Sequence, residues 1–435
     1  MMKNLTECPE RKQLNDEIHA RAYLELNPPE QVSYIALLVD REERSRELAH
    51  LQKLCEHYGL PAPEGPEAKD FYLDCGAFRL KIEVHAEFTH YEFLRHADFD
   101  EPFADPVINA VPGDWLAGLP GKLYVAAHVA VVDSAKSELD LKPDTLPRFF
   151  DGNRLIGGKI AGGTGAAFSD CMIHEDGFSR MLIINENFAP GQAGRCLQRL
   201  LEIETYRMMA LLGLPKARAI LPELPDADRQ LVRLTACLSE DKAHSDEALL
   251  AELAQLAAVM ENKISATYAR FNATRNYAAL VDIRLEQLRE TKIEGIPSLT
   301  EFLQRRLNPA LSTCQAVDQW LHQLSQRITN MNQLLLTRID VRRKQQNQDI
   351  LESLNRRSQM QLRLQQAIET LSIAAITYAA VSLLGLALNG LKSIGIHINT
   401  ELTVLLAIPV VGYFVYLGVV YLHEKIEQEE GGKIQ

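Results

Sequence analysis

The stretch LSIAAITYAAVSLLGLALNGL at residues 371–391 decides the fold class, together with LTVLLAIPVVGYFVYLGVVYL at residues 402–422. Each stretch is 21 residues long and contains no charged side chain. A helix of that length spans about 31 Å, which matches a hydrocarbon core of roughly 30 Å. The pattern predicts two transmembrane helices, and a pair of buried core helices is the alternative.

The ten residues 392–401, KSIGIHINTE, connect the two predicted spans and make them a tight hairpin. Lysines and arginines that flank a span favour the cytoplasmic side. Several precede the first span, whereas the connection has only Lys392. We therefore expect both termini, including the tail at residues 423–435, in the cytoplasm and the short loop outside.

Charge marks a separate N-terminal region. Residues 1–190 contain 19 lysines and arginines against 32 aspartates and glutamates, a net charge of −13 in a chain whose total is −12. This acidity disfavours nucleic acid as a partner. Short apolar runs and alternating segments there predict an acidic α/β cytoplasmic domain. The seven cysteines form no CxxC pair, which indicates reduced thiols rather than a disulfide framework.

Residues 191–370 are predicted to form a long helical stalk. One helix begins near residue 246, and another begins at Asn308-Pro309 and meets no helix breaker before the first span. A repeat of three and four residues, typical of a coiled coil, runs through Cys314, Val317, Leu321, Leu324, Ile328, Met331 and Leu335. Packing against the preceding helix within one subunit accounts for part of this repeat. The predicted fold class is an α+β membrane protein with an α/β domain, a coiled-coil stalk and two C-terminal transmembrane helices.

The sequence LNRRSQMQLRLQQAIETLSIAAITYAAVSLLGLALNGL at residues 354–391 resembles the CorA-type metal-ion transporter superfamily, in which a polar stalk runs into a Leu- and Thr/Ser-rich first span. The resemblance implies a homopentameric funnel in which the stalk helix continues as the first span and lines the pore, while the second span lies outside it. The family's Gly-Met-Asn motif is absent, and the corresponding residues are Leu388-Asn389-Gly390-Leu391. The resemblance therefore assigns no magnesium selectivity.

Most of the chain is also similar to a bacterial family of uncharacterised, predicted membrane-anchored proteins, a domain of unknown function. The matching stretches are LNDEIHAR (14–21), EVHAEFTHYEF (83–93), AGRCLQRLLEIETYRMMALLGLP (193–215), YARFNATRNYAALVDIRLEQLRE (268–290) and QNQDILESLNRRSQMQLRLQQAIETLSIAAITY (346–378). This resemblance implies membrane anchoring and supplies no chemistry.

Two sets of residues are candidates for an ion path. Steps of three or four residues give one stripe on the first span, which we predict to be the pore face: Leu371, Ala375, Ala379, Ser382 and Asn389. Leu371 would be a hydrophobic constriction, and Gly390 and Glu401 would lie at the outer mouth. Helix–helix packing through small residues is the alternative for this stripe. In a symmetric bundle the stalk would present to a wet axis Asn347, Asn355, Ser358 and Gln361.

Two further groups are candidate metal ligands. The first occupies alternate positions of a predicted strand and comprises Glu83, His85 and Glu87, followed by His90 and His96. Imidazole and carboxylate on one strand face could bind zinc or another divalent ion. The second lies in a proline-containing loop, suits Mg²⁺ or Ca²⁺, and comprises Asp98, Asp100, Glu101 and Asp105. Solvated or ion-paired side chains are the alternative for both groups.

These patterns together predict a homo-oligomeric, pentameric CorA-like channel or transporter that passes cations, divalent ones among them, through the inner membrane. The expected partners are other copies of the chain, the lipid bilayer and the transported ion, with no nucleic acid. A divalent cation such as Mg²⁺ or Zn²⁺ is the one cofactor indicated. Since no Ser/His/Asp or Cys/His set stands out, we expect no enzyme. The alternative function is a membrane-anchored cytoplasmic scaffold or sensor without transport activity.

Overall fold

The structure, a computed structural model, describes residues 8, 10–12, 14–15, 23–61, 70–239, 246–393 and 399–431. The chain divides into two compact units, Met1–Asn332 and Gln333–Gln435. The boundary that we expected at residue 190/191 does not separate these units, because the helix that follows the sheet packs directly on it. Each unit is described in turn.

A single eight-stranded sheet forms the centre of the first unit. Its strands are β1 (Glu30–Leu38), β2 (Asp70–Asp74), β3 (Arg79–Val84), β4 (Phe88–His96), β5 (Lys122–Asp133), β6 (Ile156–Ile160), β7 (Gly165–Ser169) and β8 (Ser179–Asn185). Their spatial order is β2-β3-β4-β1-β5-β8-β7-β6, and every neighbouring pair is antiparallel except β5 and β8. The prediction of an N-terminal region that mixes strands and helices is confirmed.

The helices are α1 (Arg41–Tyr58), α2 (Gly113–Ala117), α3 (Gln192–Leu211), α4 (Gly213–Ile220), α5 (Leu224–Ser239), α6 (Asp246–Leu288), α7 (Leu299–Ser393) and α8 (Thr400–Gly431). Local signals fix the ends of α1. The Asp40 carboxylate accepts hydrogen bonds from the backbone of Glu42 and Glu43, and Gly59 ends the helix in the left-handed region.

Each face of the sheet carries its own apolar core, because successive strand residues point to opposite sides. One face packs against α3, α6 and the start of α7, with Val32, Val129, Leu197 and Leu285 among its buried residues. The other face packs against α1 and α2 through residues such as Phe93 and Trp115. Helix α3 therefore covers the sheet face that carries the candidate site.

Helix α7 differs from its predicted start. It begins at Leu299, where Ser298 Oγ accepts a hydrogen bond from the Glu301 backbone, and it continues through Pro309 without a break. Proline removes one helical hydrogen bond, but buried Leu303 and Leu307 before it and Cys314 after it hold the helix in the core. All seven residues of the predicted coiled-coil repeat are buried in the single chain.

The second unit contains the rest of α7 and all of α8. The structure has two helices long and apolar enough to cross a membrane, and these candidate spans lie within Leu299–Gly390 and Thr400–Tyr421. They pack as an antiparallel pair: a Cβ atom at Gly412 would lie 3.6 Å from Thr377 Cγ2, and one at Gly385 would lie 3.8 Å from Val404 Cγ2. Much of the expected loop at 392–401, namely residues 394–398, lies outside the described residues.

Candidate functional site

A row of ionisable side chains interrupts the apolar sheet face beneath α3. In the β3–β4 pair Lys81 lies opposite Glu92, and Glu83 lies opposite His90. All four residues are at most 6% exposed. Burying ionisable groups is costly unless they are paired or bind an ion. Each group in this row therefore needs a partner or a bound ion.

Glu83, His85 and His90 bring three potential ligand atoms to within 4.8 Å of one another. Glu83 Oε2 lies 3.6 Å from His85 Nε2 and 3.7 Å from His90 Nε2. The remaining carboxylate oxygen, Oε1, pairs with Lys81 Nζ at 2.5 Å. Glu92 extends the group, because its Oε1 atom lies 3.3 Å from His90 Nε2.

Helix α3 closes the group from above and leaves a small cavity. Gln198, Leu201, Glu202 and Thr205 from one face of α3 line it. The cavity measures about 10 Å³, roughly the room that one water molecule needs. On its floor Tyr34 Oη is hydrogen-bonded to Thr205 Oγ1 at 2.7 Å. The site is thus enclosed, and the His85 side chain, 12% exposed, is more open than that of Glu83, His90 or Glu92.

The turn that carries His85 is held from two helices. Arg44 of α1 donates a hydrogen bond of 2.6 Å to the His85 carbonyl. Arg270 of α6 donates two hydrogen bonds to the Glu87 carboxylate, at 2.9 and 3.1 Å. These bonds fix the turn from both sides and place His85 against the cavity.

The predicted set Glu83, His85 and Glu87 is therefore only partly assembled. β3 ends at Val84, so His85 and Glu87 lie in the turn and not at alternate positions of one strand. The Glu87 carboxylate is hydrogen-bonded to Arg270, and His90 from β4 lies beside Glu83 instead. The hairpin register, which pairs Glu83 with His90, is the signal that the sequence argument missed.

Electrostatics favour an ionised carboxylate at the centre of the group. Burial by itself would raise the pKa of the Glu83 carboxyl, but His85, His90 and Lys81 together hold that pKa well below its usual range. Glu83 thus offers a carboxylate at neutral pH. Glu83 and Glu92 present two carboxylates to one ammonium group, that of Lys81.

The acidic loop does not form a comparable site in the described part of the chain. Asp98, Asp100, Glu101 and Asp105 are all exposed, and no group of three potential ligands includes them. Asp105 pairs with Arg95 at 2.9 Å. His96 is also exposed, and its Nδ1 atom lies 2.7 Å from the Asn27 carbonyl. The expectation of a cation site in this loop gains no support.

The predicted pore stripe lies on one side of α7, and all of its members are exposed: Leu371, Ala375, Ala379, Ser382 and Asn389. The less exposed residues of the same segment mark the side toward α8: Ile373, Thr377, Ala380, Val381, Leu384, Gly385 and Leu388. At 3.6 residues per turn the two sides point about 150° apart. The stripe therefore faces away from α8, and its role as a pore face stays a prediction.

The other residues predicted for an ion path are exposed as well. Asn347, Asn355, Ser358 and Gln361 lie in residues 340–368, a segment of α7 in which every side chain is exposed. A straight helix turns Asn355 about 160° away from Leu371, so the four do not continue the pore stripe as one face. Gly390 lies near the end of α7 and Glu401 in the first turn of α8.

The described residues form one Ser–His–Asp arrangement that the sequence pattern did not predict. Ser33 Oγ lies 3.0 Å from His128 Nδ1, and His128 Nε2 lies 3.8 Å from Asp176 Oδ2. Ser33 also accepts a hydrogen bond from the Ile108 backbone. Ser33 is 0% and His128 2% exposed, so a substrate cannot reach the hydroxyl and the arrangement is structural.

Comparison with known proteins gives one match. A family model described as "Protein of unknown function (DUF3422)" matches residues 6–426. None of the curated proteins and none of the solved structures matches the chain. The match confirms the resemblance to a family of unknown function, whereas the CorA-type resemblance stays a prediction.

Proposed function

The chain belongs to the DUF3422 family, and we propose that this member is a homo-oligomeric channel that passes cations through a bacterial inner membrane. A pentamer of CorA-like architecture, with both termini in the cytoplasm, is the assembly that we propose. One observation supports it above the others: an apolar seam on α7 that has no partner within the described chain and continues into the pore stripe.

The exposed seam is a run of positions on α7 spaced alternately by four and three residues. It consists of Ile350, Leu354, Arg357, Gln361, Leu364, Ile368, Leu371, Ala375, Tyr378, Ser382 and Asn389. Gly385, the position between the last two, is less exposed and faces α8. This spacing is that of a coiled coil. Ile350, Leu364 and Leu371 are 56%, 62% and 74% exposed. Large side chains on a contact spacing favour burial against other copies of the same helix.

The seam also supports the position of a pore. It enters the first span on the side away from α8, so a symmetric assembly that buries the seam places α7 around the axis and α8 at the periphery. Polar Ser382 and Asn389 would then face water, and Leu371 would narrow the axis as a hydrophobic gate. An amide facing lipid would cost free energy, whereas one facing a wet axis would not.

The first experiment measures flux. Purified full-length protein in liposomes is expected to pass a divalent cation, detected by an internal dye. Leu371→Ala should widen the constriction and raise the flux several-fold, and Asn389→Ala should change the preference among cations. Leu405→Ala on α8 removes a residue of similar exposure, 66%, and should leave the flux unchanged. No flux from the wild-type protein would refute the proposal.

The second experiment tests the seam directly. Leu364→Cys lies on the seam, and Leu362→Cys, 58% exposed in the wild type, points to the opposite side of α7 about 160° away. Only Leu364→Cys should give cross-linked dimers above the wild-type pattern, because one added thiol joins one other chain. Dimers from Leu364→Cys together with no flux from the wild-type protein would support the alternative function, a membrane-anchored sensor or scaffold.

A further inference from the structure

We propose that Glu83, His85 and His90 bind one divalent transition-metal ion, with Zn²⁺ as the fitting type, in the cavity beneath α3. The site lies in the first unit and belongs to no part of the proposed ion path. It therefore stands or fails independently of the channel function.

The distances suit a tetrahedral ion. Zinc bonds of 2.0–2.2 Å to nitrogen and oxygen place ligand atoms about 3.3–3.6 Å apart. The separations of Glu83 Oε2 from the two imidazole nitrogens are 3.6 and 3.7 Å. The widest distance in the group is at most 4.8 Å. Rotation of one imidazole about its side-chain bonds therefore brings all three donors into range.

His90 supplies a second, independent indication of a ligand. The residue is 6% exposed, and its Nε2 atom makes no hydrogen bond to any described residue. A buried polar atom without a hydrogen bond is rare and costly. A metal ion at the centre of the group would satisfy this nitrogen, and Glu92 Oε1, 3.3 Å from it, can serve as the fourth ligand.

The donor set selects the class of ion. Two imidazole nitrogens favour zinc, cobalt, nickel, copper or iron over magnesium and calcium, which prefer oxygen. Two histidines and one carboxylate also bind catalytic iron in some enzymes. Here the cavity of about 10 Å³ has no room for a substrate beside the ion. The geometry thus points to an ion that stabilises the fold or is sensed by the protein, and not to one that takes part in catalysis.

Neighbouring residues already orient the ligands. Lys81 holds the Glu83 oxygen that does not face the histidines. Arg44 fixes the His85 backbone, and Arg270 fixes the same turn through Glu87. Outer-shell contacts of this kind commonly hold metal ligands in position. His85 is the most open of the three ligands, so an ion would enter at the turn.

Cobalt titration of the full-length protein in detergent tests the proposal. The protein is freed of any histidine tag and of metal, and Co²⁺ is added. We expect one Co²⁺ per chain with the visible bands of a tetrahedral site, displaced by Zn²⁺, and a higher melting temperature. His90→Gln and His85→Asn should each weaken binding by at least about 100-fold. His96→Gln, an exposed histidine on the same strand, should bind like the wild type.

Two outcomes would overturn the proposal: no tetrahedral Co²⁺ signal in the wild type, or unchanged binding in both histidine variants. If His90→Gln fails to fold, the Co²⁺ titration of His85→Asn, a variant in the turn, decides between the two results. Circular dichroism confirms that each variant keeps its helices and strands. Leu371→Ala should bind Co²⁺ normally whatever its flux, which separates this test from that of the channel.

Discussion

Acid should destabilise the first unit partly through one buried histidine, His128 on β5. Its ring is stacked on Phe178 with centroids 3.9 Å apart, and the side chain is 3% exposed. Burial lowers the pKa of His128 to about 4. The Asp176 carboxylate opposes this shift, while Arg180 and His174 reinforce it. The folded protein therefore keeps this imidazole neutral at a pH where an exposed one is charged.

The magnitude follows from linkage. An unfolded chain binds a proton at histidine with a pKa near 6.5. Because the pKa of His128 is lower in the folded state, the stability that it contributes is present above pH 6.5 and is lost as the pH falls toward 4. At about 1.4 kcal/mol per pKa unit, lowering the pH from 7.5 to 4.5 costs about 2.5 kcal/mol through this group.

The assay is urea unfolding of the detergent-solubilised protein at the two pH values, for wild type and His128→Gln. The variant should lose about 2.5 kcal/mol less than the wild type between pH 7.5 and 4.5. His57→Gln removes an exposed histidine of α1 and should keep the wild-type pH dependence. Equal losses in wild type and His128→Gln would show that this histidine is not held neutral in the folded state.

Two further predictions concern the core and the thiols. The Leu321 side chain is 0% exposed, and Leu321→Ala should lower the free energy of unfolding by about 3 kcal/mol in the same urea experiment. The Leu334 side chain is 63% exposed, and Leu334→Ala should lower it by less than about 0.5 kcal/mol. Burial raises the pKa of the Cys75 and Cys171 thiols to about 11. Maleimide at pH 8 should therefore label exposed Cys8 in the folded protein, and should label Cys75 and Cys171 only after denaturation. Peptide mass spectrometry identifies the labelled cysteines.

The sequence predicted those elements whose signals are local. The charge-free windows at residues 371–391 and 402–422 identified both candidate spans. Short apolar runs and alternating segments predicted strands and helices in the N-terminal region, and the structure has both there. In each case the deciding residues are neighbours along the chain, so length, composition and periodicity carry enough information.

The rest depends on residues far apart in the chain. The pairing of Glu83 with His90 requires a turn at residues 85–87, which contains neither glycine nor proline and is held by Arg44 and Arg270. The cover over the site comes from α3, more than a hundred residues later. Pro309 marked a helix start by local rules, but burial of the surrounding apolar residues carries α7 through it. Tertiary contacts decided all three features.

Helix α7 carries two seams with the same alternating spacing of three and four residues, one buried and one exposed. The repeat from Cys314 to Leu335 is buried within the single chain, so it needs no second copy. Continued in the same phase it would reach positions 349, 352 and 356, but the exposed seam uses Ile350, Leu354 and Arg357, one or two residues later. That shift turns the contact face by about 150°. A chain that needed only an intramolecular bundle would have no reason to place leucines on this second face. The exposed seam therefore argues for association between copies through the second unit, whether or not the axis conducts ions.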